Sequence, residues 1–163
     1  MSSSASLVVG ADGSTTKAGS SGGVSSKADR SVFLARRREF DLILIGGNTA
    51  RTEPYSTTPI PVVVLSRSDI SPIADNPKAH LWNLSPSQAL VRAHNEFGPR
   101  ILVEGGPAFI GELLEAGLID DFFLTVTEVQ GGENKIDWQE MLNHFIFVEK
   151  NEVDGTLFFH AHN

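Results

Sequence analysis

The stretch that decides the fold is R100-ILVEGGPAFIGELLEAGLIDDFFL-T125. Residues 100–104 are a short apolar run of strand length, and 107–116 follow a helical pattern. Between them stand two glycines and a proline. Gly105 and Gly106 remove both Cβ atoms where a strand hands over to a helix, so the backbone can approach a ligand closely. Pro107 suits the first helical position, where its missing N–H costs little. The N–H groups beyond it, from Ala108 onward, form the positive end of a helix dipole and suit a phosphate. Ile110, Leu113, Leu114 and Gly117 fall at i, i+3, i+4 and i+7, one face for packing on a sheet, and Gly117 is a natural stop. A Gly-Gly turn also has a purely structural use, so these residues alone leave both readings open.

Outward from that stretch, apolar runs alternate with helical patterns. SLVVGADG starts as a strand and breaks at Gly10–Gly13. Residues 17–27 are rich in Gly and Ser and read as a mobile loop. A helix is expected from about 27 to 39. DLILIGG (41–47) and IPVVVLSR (60–67) read as buried parallel strands. Ser85 and Pro86 open a helix over 85–97 that Gly98-Pro99 ends. DFFLTVTEV (121–129) is a strand by its phenylalanine and β-branched content. Residues 145–162 read as an antiparallel hairpin about Asp154-Gly155. The order predicts one three-layer α/β domain over residues 1–163, with a mixed, mostly parallel central sheet and a C-terminal hairpin.

The chain has 20 acidic and 13 basic residues and no cysteine. The acidic balance argues against duplex nucleic-acid binding, and the lack of cysteine excludes thiolate chemistry and disulfides. No metal is expected, because the five histidines show no ligand spacing. No apolar run has membrane-spanning length, no signal peptide is recognisable, and a cytoplasmic protein is expected. The G-x-G-x-x-G fingerprint of a standard dinucleotide domain is absent.

Four segments, taken in order, carry a resemblance: GADGSTTKAGSSGGVSS, DLILIGGNTARTEP, VVVLSRS and ILVEGGPAFIGELLEAGLIDDFFLTVT. Together they resemble the reductase domain of riboflavin biosynthesis, the C-terminal part of bifunctional pyrimidine deaminase-reductases. The resemblance implies a dihydrofolate-reductase-like fold and NADPH-dependent hydride transfer to the open-chain ribose of an aminouracil phosphate. It also implies the site. Gly105, Gly106, Pro107, Ala108 and Phe109 would hold the cofactor pyrophosphate and approach the nicotinamide. Gly46 and Gly47 would lie against the cofactor, with Thr49 and Glu53 as contacts. Ser66 and Arg67 would take the adenosine ribose, and a guanidinium there favours the 2′-phosphate of NADPH. Glu104 and Asp12 match the family's catalytic carboxylates, Glu104 also touching substrate. Ser21 and Arg37 align with substrate contacts, Arg37 as a phosphate ligand. A homodimer is expected, with the phenylalanine-rich C-terminal part as a candidate surface or as core.

The chain departs from the pattern in four places. The zinc deaminase half is absent, so deaminase activity is not expected. Gly10 stands where the family has a serine, a first-strand lysine is missing, and EPYSTTPIP lacks the family's phosphate-holding arginine. Two alternatives therefore stay open: a reductase of another substrate such as a pterin, and a non-catalytic NADP-binding protein.

Overall fold

The computed structural model describes residues 1–163. Eight strands form one sheet. They are β1 (Ser2–Val9), β2 (Leu42–Gly46), β3 (Val62–Leu65), β4 (Ala79–Trp82), β5 (Arg100–Gly105), β6 (Asp121–Val126), β7 (Phe147–Val153) and β8 (Thr156–His162). Their spatial order is β4-β3-β2-β5-β1-β6-β8-β7. The pairs from β4 through to β6 are parallel, and β8 alone runs against its neighbours. Alternation along β2 explains why its run is continuously apolar. Leu42 and Leu44 enter one core and Ile43 and Ile45 the other, so both faces are buried.

Five α-helices cover the two faces: α1 (Lys27–Arg37), α2 (Gly47–Thr52), α3 (Pro86–Glu96), α4 (Pro107–Glu115) and α5 (Trp138–Leu142). The larger core lies under α3, α4 and α5. Ile110, Leu113 and Leu114 of α4 are buried as their spacing predicts, each contributing about 1.5–3 kcal/mol. Gly117, at φ +67°, ends α4 by donating to Leu114 O while Leu118 N–H donates to Leu113 O, a Schellman closure. Ser85 caps α3 reciprocally with Gln88, with Pro86 in the first turn. In the hairpin, Asp154 and Gly155 both have positive φ (49° and 80°), the backbone a two-residue hairpin loop needs. No helix is long and apolar enough to cross a membrane.

Several expectations shift. The helix expected over 27–39 ends at Arg37, where Glu39 and Phe40 turn back onto Arg36 O and Arg37 O. The strand expected to 129 ends at Val126; Thr127 instead donates its hydroxyl to Val24 O at 2.5 Å. The Gly/Ser-rich stretch read as a mobile loop carries a 3-10 turn at Ser21–Gly23. It is tied by Lys17 N–H to Ser20 O (3.0 Å) and by Gly19 N–H to Glu133 Oε1 (3.1 Å). The short elements β4, α2 and α5 have no sequence expectation, being too brief to show a period. The phenylalanines divide between environments: Phe122 and Phe145 are core, whereas Phe147 is exposed.

Candidate active site

The strand-end loops singled out in the sequence meet at one corner. β2 and β5 are parallel neighbours, so their C-terminal ends place Gly46 and Gly105 together, the usual place for a ligand in an open α/β sheet. A Cβ at Gly46 would lie 3.7 Å from Gly105 O and 3.7 Å from a ring carbon of Phe109. Gly105 has φ +151°, and a Cβ there would sit 3.0 Å from Thr49 Oγ1; at Gly106 the distance is 3.4 Å. The Thr49 side chain therefore lies along the Gly105–Gly106 backbone. The peptide between these glycines is cis. Gly106 caps α4 without a side chain, and the N–H groups of Ala108 and Phe109 have no acceptor inside the helix. On the other side of α2, a Cβ at Gly47 would lie 3.2 Å from Arg51 Nη1 and 3.5 Å from Ser66 Oγ.

Gly46, Gly47, Thr49, Ser66, Gly105, Gly106 and Phe109 are thus brought together, as the resemblance implies. Arg67, one residue beyond Ser66, is exposed and available to a ligand. Sequence reasoning missed Arg51, whose guanidinium hydrogen-bonds Asn48 Oδ1 beside Gly47. A strongly basic residue in a glycine-flanked turn was the available signal.

The acidic and substrate-side residues behave differently. The β2–β5 register slips between Val103 and Gly105, and this bulge leaves Glu104 pointing to the α1 side of the sheet. There its buried carboxylate accepts from Arg37 Nε (2.9 Å) and Nη2 (2.7 Å), and from Tyr55 Oη–H (2.6 Å). The Arg37 guanidinium also lies over the Phe33 ring at 4.4 Å. Burial alone would lower the Arg37 pKa, but the Glu104 carboxylate outweighs it and raises it. Burial, helped by the same carboxylate, pushes the Tyr55 phenol well above its ordinary value. Glu104 and Arg37, both assigned to substrate, are each other's partners. Tyr55 is the third member and was missed, although it is the chain's single tyrosine and lies in the segment lacking the family arginine.

Asp12 faces elsewhere. It accepts from the Ser14 hydroxyl (2.6 Å) and the Gly131 N–H (2.8 Å), with Lys135 Nζ at 3.3 Å. The Ser14 hydroxyl first, then the Gly131 N–H, hold it well below the usual carboxylate range. It therefore clasps the loop after β1 to the loop after β6. Glu53 Oε1 accepts from Ser21 N–H at 2.7 Å, joining the 3-10 turn to the end of α2. Among the histidines no metal cluster forms.

The family model for the RibD C-terminal domain matches residues 4–136. The chain belongs to that family. RibD C-terminal domains are the reductases of riboflavin biosynthesis. Among curated proteins none matches this chain. Solved structures share its fold. One is a riboflavin biosynthesis protein from Shewanella sp. PV-4, at TM-score 0.72 and 20% identity, covering 99% of this chain and 98% of that one. Another is a pyrimidine reductase-like protein from Corynebacterium diphtheriae, at TM-score 0.73 and 17% identity, covering 99% and 91%. A third is the deaminase/5-amino-6-(5-phosphoribosylamino)uracil reductase of Thermotoga maritima, at TM-score 0.69 and 14% identity; this chain is covered to 99% but spans 56% of that protein. The chain has the same dihydrofolate-reductase-like α/β architecture, hairpin included.

Proposed function

We propose that this chain is an NADPH-dependent reductase that delivers hydride to the ribose of a 5-amino-6-(5-phosphoribosylamino)uracil-type substrate. The observation that carries the reading is the meeting of Gly46, Thr49 and Gly105–Gly106 below the N-terminus of α4 in a RibD C-terminal domain. The residues fit a dinucleotide. The glycines leave a cradle that a Cβ would fill, and Ala108 and Phe109 offer N–H groups to a pyrophosphate. In this reading the exposed Arg67 holds the 2′-phosphate that separates NADPH from NADH. A bound nicotinamide dinucleotide supplies the hydride.

The chain's own residues supply placement and charge. Glu104, buried between Arg37 and Tyr55, anchors the end of β5 next to Gly105. The Tyr55 proton is committed to Glu104 and Asp12 stays ionised in its loop clasp, so in this reading neither supplies the proton that follows the hydride. Asp12 acts in this reading by holding the loop after β1 in place.

One observation favours a second reading, an unphosphorylated heterocycle such as a pterin. Arg37 is paired with Glu104, and residues 53–61 carry no lysine or arginine, so neither offers a cation to a substrate phosphate. Following NADPH absorbance with the aminouracil phosphate and with dihydropterin separates the two. Turnover of the aminouracil phosphate supports the first reading; turnover of the pterin alone removes it, and binding of NADPH without turnover of either makes the chain a dinucleotide-binding protein.

A further inference from the structure

One guanidinium at the glycine-rich corner has no part in the resemblance: that of Arg51 on α2. β2 lies between β5 and β3 in the sheet, so its end borders Gly105 on one side and the end of β3 on the other. Gly46 pairs with Leu65, and Gly47 and Ser66 are the next residues along each chain. At Gly47 the missing Cβ leaves a space with two polar groups around it. Arg51 Nη1 would stand 3.2 Å from that carbon, and Ser66 Oγ 3.5 Å. Neighbouring strands are ~4.8 Å apart, so this space lies one to two strand widths, roughly 5–10 Å, from the Gly105 cradle.

Both groups are oriented and neither is used up. Arg51 Nη2 donates to Asn48 Oδ1, one turn back in the same helix, which holds the guanidinium beside Gly47. The chain's two arginine ion pairs use Arg37 and Arg92. No carboxylate therefore neutralises Arg51, and an amide oxygen leaves its charge and its other N–H donors uncommitted. Ser66 Oγ accepts the Ser68 N–H at 3.1 Å, and its own hydroxyl proton has no acceptor within the chain. Arg67, next to Ser66, is exposed and adds a second positive charge nearby.

An oriented guanidinium and a hydroxyl donor around a space without a side chain suit a compact, multiply charged oxyanion. The position says which one. The N–H groups at the start of α4 face the β5 side of the corner, where a pyrophosphate fits. Arg51 and Ser66 stand on the β3 side, about one ribose away.

On the reading of this corner as a dinucleotide site, we propose that Arg51 is a specificity-determining residue that selects a 2′-phosphorylated dinucleotide, holding that phosphate jointly with Ser66. Calorimetric titration of the full chain with NADPH, NADH, adenosine 2′,5′-bisphosphate and 5′-AMP tests it. Arg51→Gln is expected to weaken NADPH and the bisphosphate about tenfold, roughly 1.4 kcal/mol, and to leave NADH and 5′-AMP within about twofold. Arg51→Lys keeps the charge without the fork and should weaken them less. Asn48→Ala removes the tether and leaves Arg51 in place, so NADPH should weaken severalfold with NADH unchanged. Arg51 and Asn48 are exposed, and the variants should melt with the wild type. An NADPH-to-NADH preference unchanged by Arg51→Gln overturns the proposal and leaves the reductase reading standing. Equal losses for both dinucleotides place Arg51 on the pyrophosphate and overturn it as well. A wild-type chain that binds neither dinucleotide removes the reductase reading and the role of Arg51 with it.

Discussion

The two sides of β5 solve opposite problems. Toward β2, the chain withholds side chains: Gly46, Gly47, Gly105 and Gly106 leave backbone and a helix N-terminus open to a ligand. Toward α1, the next residue back, Glu104, is enclosed by Arg37 and Tyr55 and fully satisfied. The open side is ready for a charged partner from outside; the closed side has found its partners within the chain. Charge on the α1 side is therefore already compensated within the chain.

The sharpest way to break this contrast is to open the closed side. Glu104→Ala strands a buried guanidinium and is expected to cost about 3–5 kcal/mol, read by urea denaturation. Arg37→Met with Glu104→Leu removes both charges and is expected to recover most of that loss, and a double variant as unstable as the single one would show that the pair is not what stabilises the region. Filling the open side has a smaller effect. Gly105→Ala places a side chain at φ +151° against Thr49, costing about 1–3 kcal/mol of strain. NADPH binding is expected to disappear, measured by fluorescence titration; unchanged binding would remove Gly105 from the cradle.

Arg67→Ala sharpens the comparison on the side of the cofactor. NADPH affinity should fall about tenfold, roughly 1.4 kcal/mol, with NADH unchanged. In wild type, NADPH at ~100 times its dissociation constant should add about 2.7 kcal/mol of stability. No thermal shift with either dinucleotide would mean that the Gly-Gly-Pro turn serves architecture alone.

The smallest effects are in pH dependence. Asp12 has a depressed pKa in the fold, so its stabilisation is present above the unfolded value, 3.8, and is lost as pH falls below it. Melting of wild type and Asp12→Asn should therefore converge in acid. Tyr55 is shifted the other way, from 10.0 upward. Its contribution holds below pH 10 and fades above it, and Tyr55→Phe should flatten that alkaline limb. Parallel curves in either pair would remove the assigned hydrogen bonds as the cause.

Much of this was legible in the chain itself because it is local. The β5–turn–α4 unit, the Ser85–Pro86 helix start, the Asp154-Gly155 hairpin and the paired glycines are set by backbone preferences within a few residues. The open corner was legible for the same reason: strand ends carrying glycine gather on one edge of any parallel sheet. Elements of four to six residues, such as β4, α2 and α5, were not, since their form depends on docking beside β3, β2 and the core rather than on a period of their own.

The closed side was decided only in three dimensions. Arg37 and Glu104 are 67 residues apart, Tyr55 and Glu104 are 49 apart, and Asp12 and Gly131 are 119 apart. The sequence by itself determined which residues are charged and that they lie near strand ends and on a helix. Strand order, the bulge at Glu104 and the seat of α1 across β1 determined which charges meet, because a buried ion is stable only beside the partner that the packing brings to it.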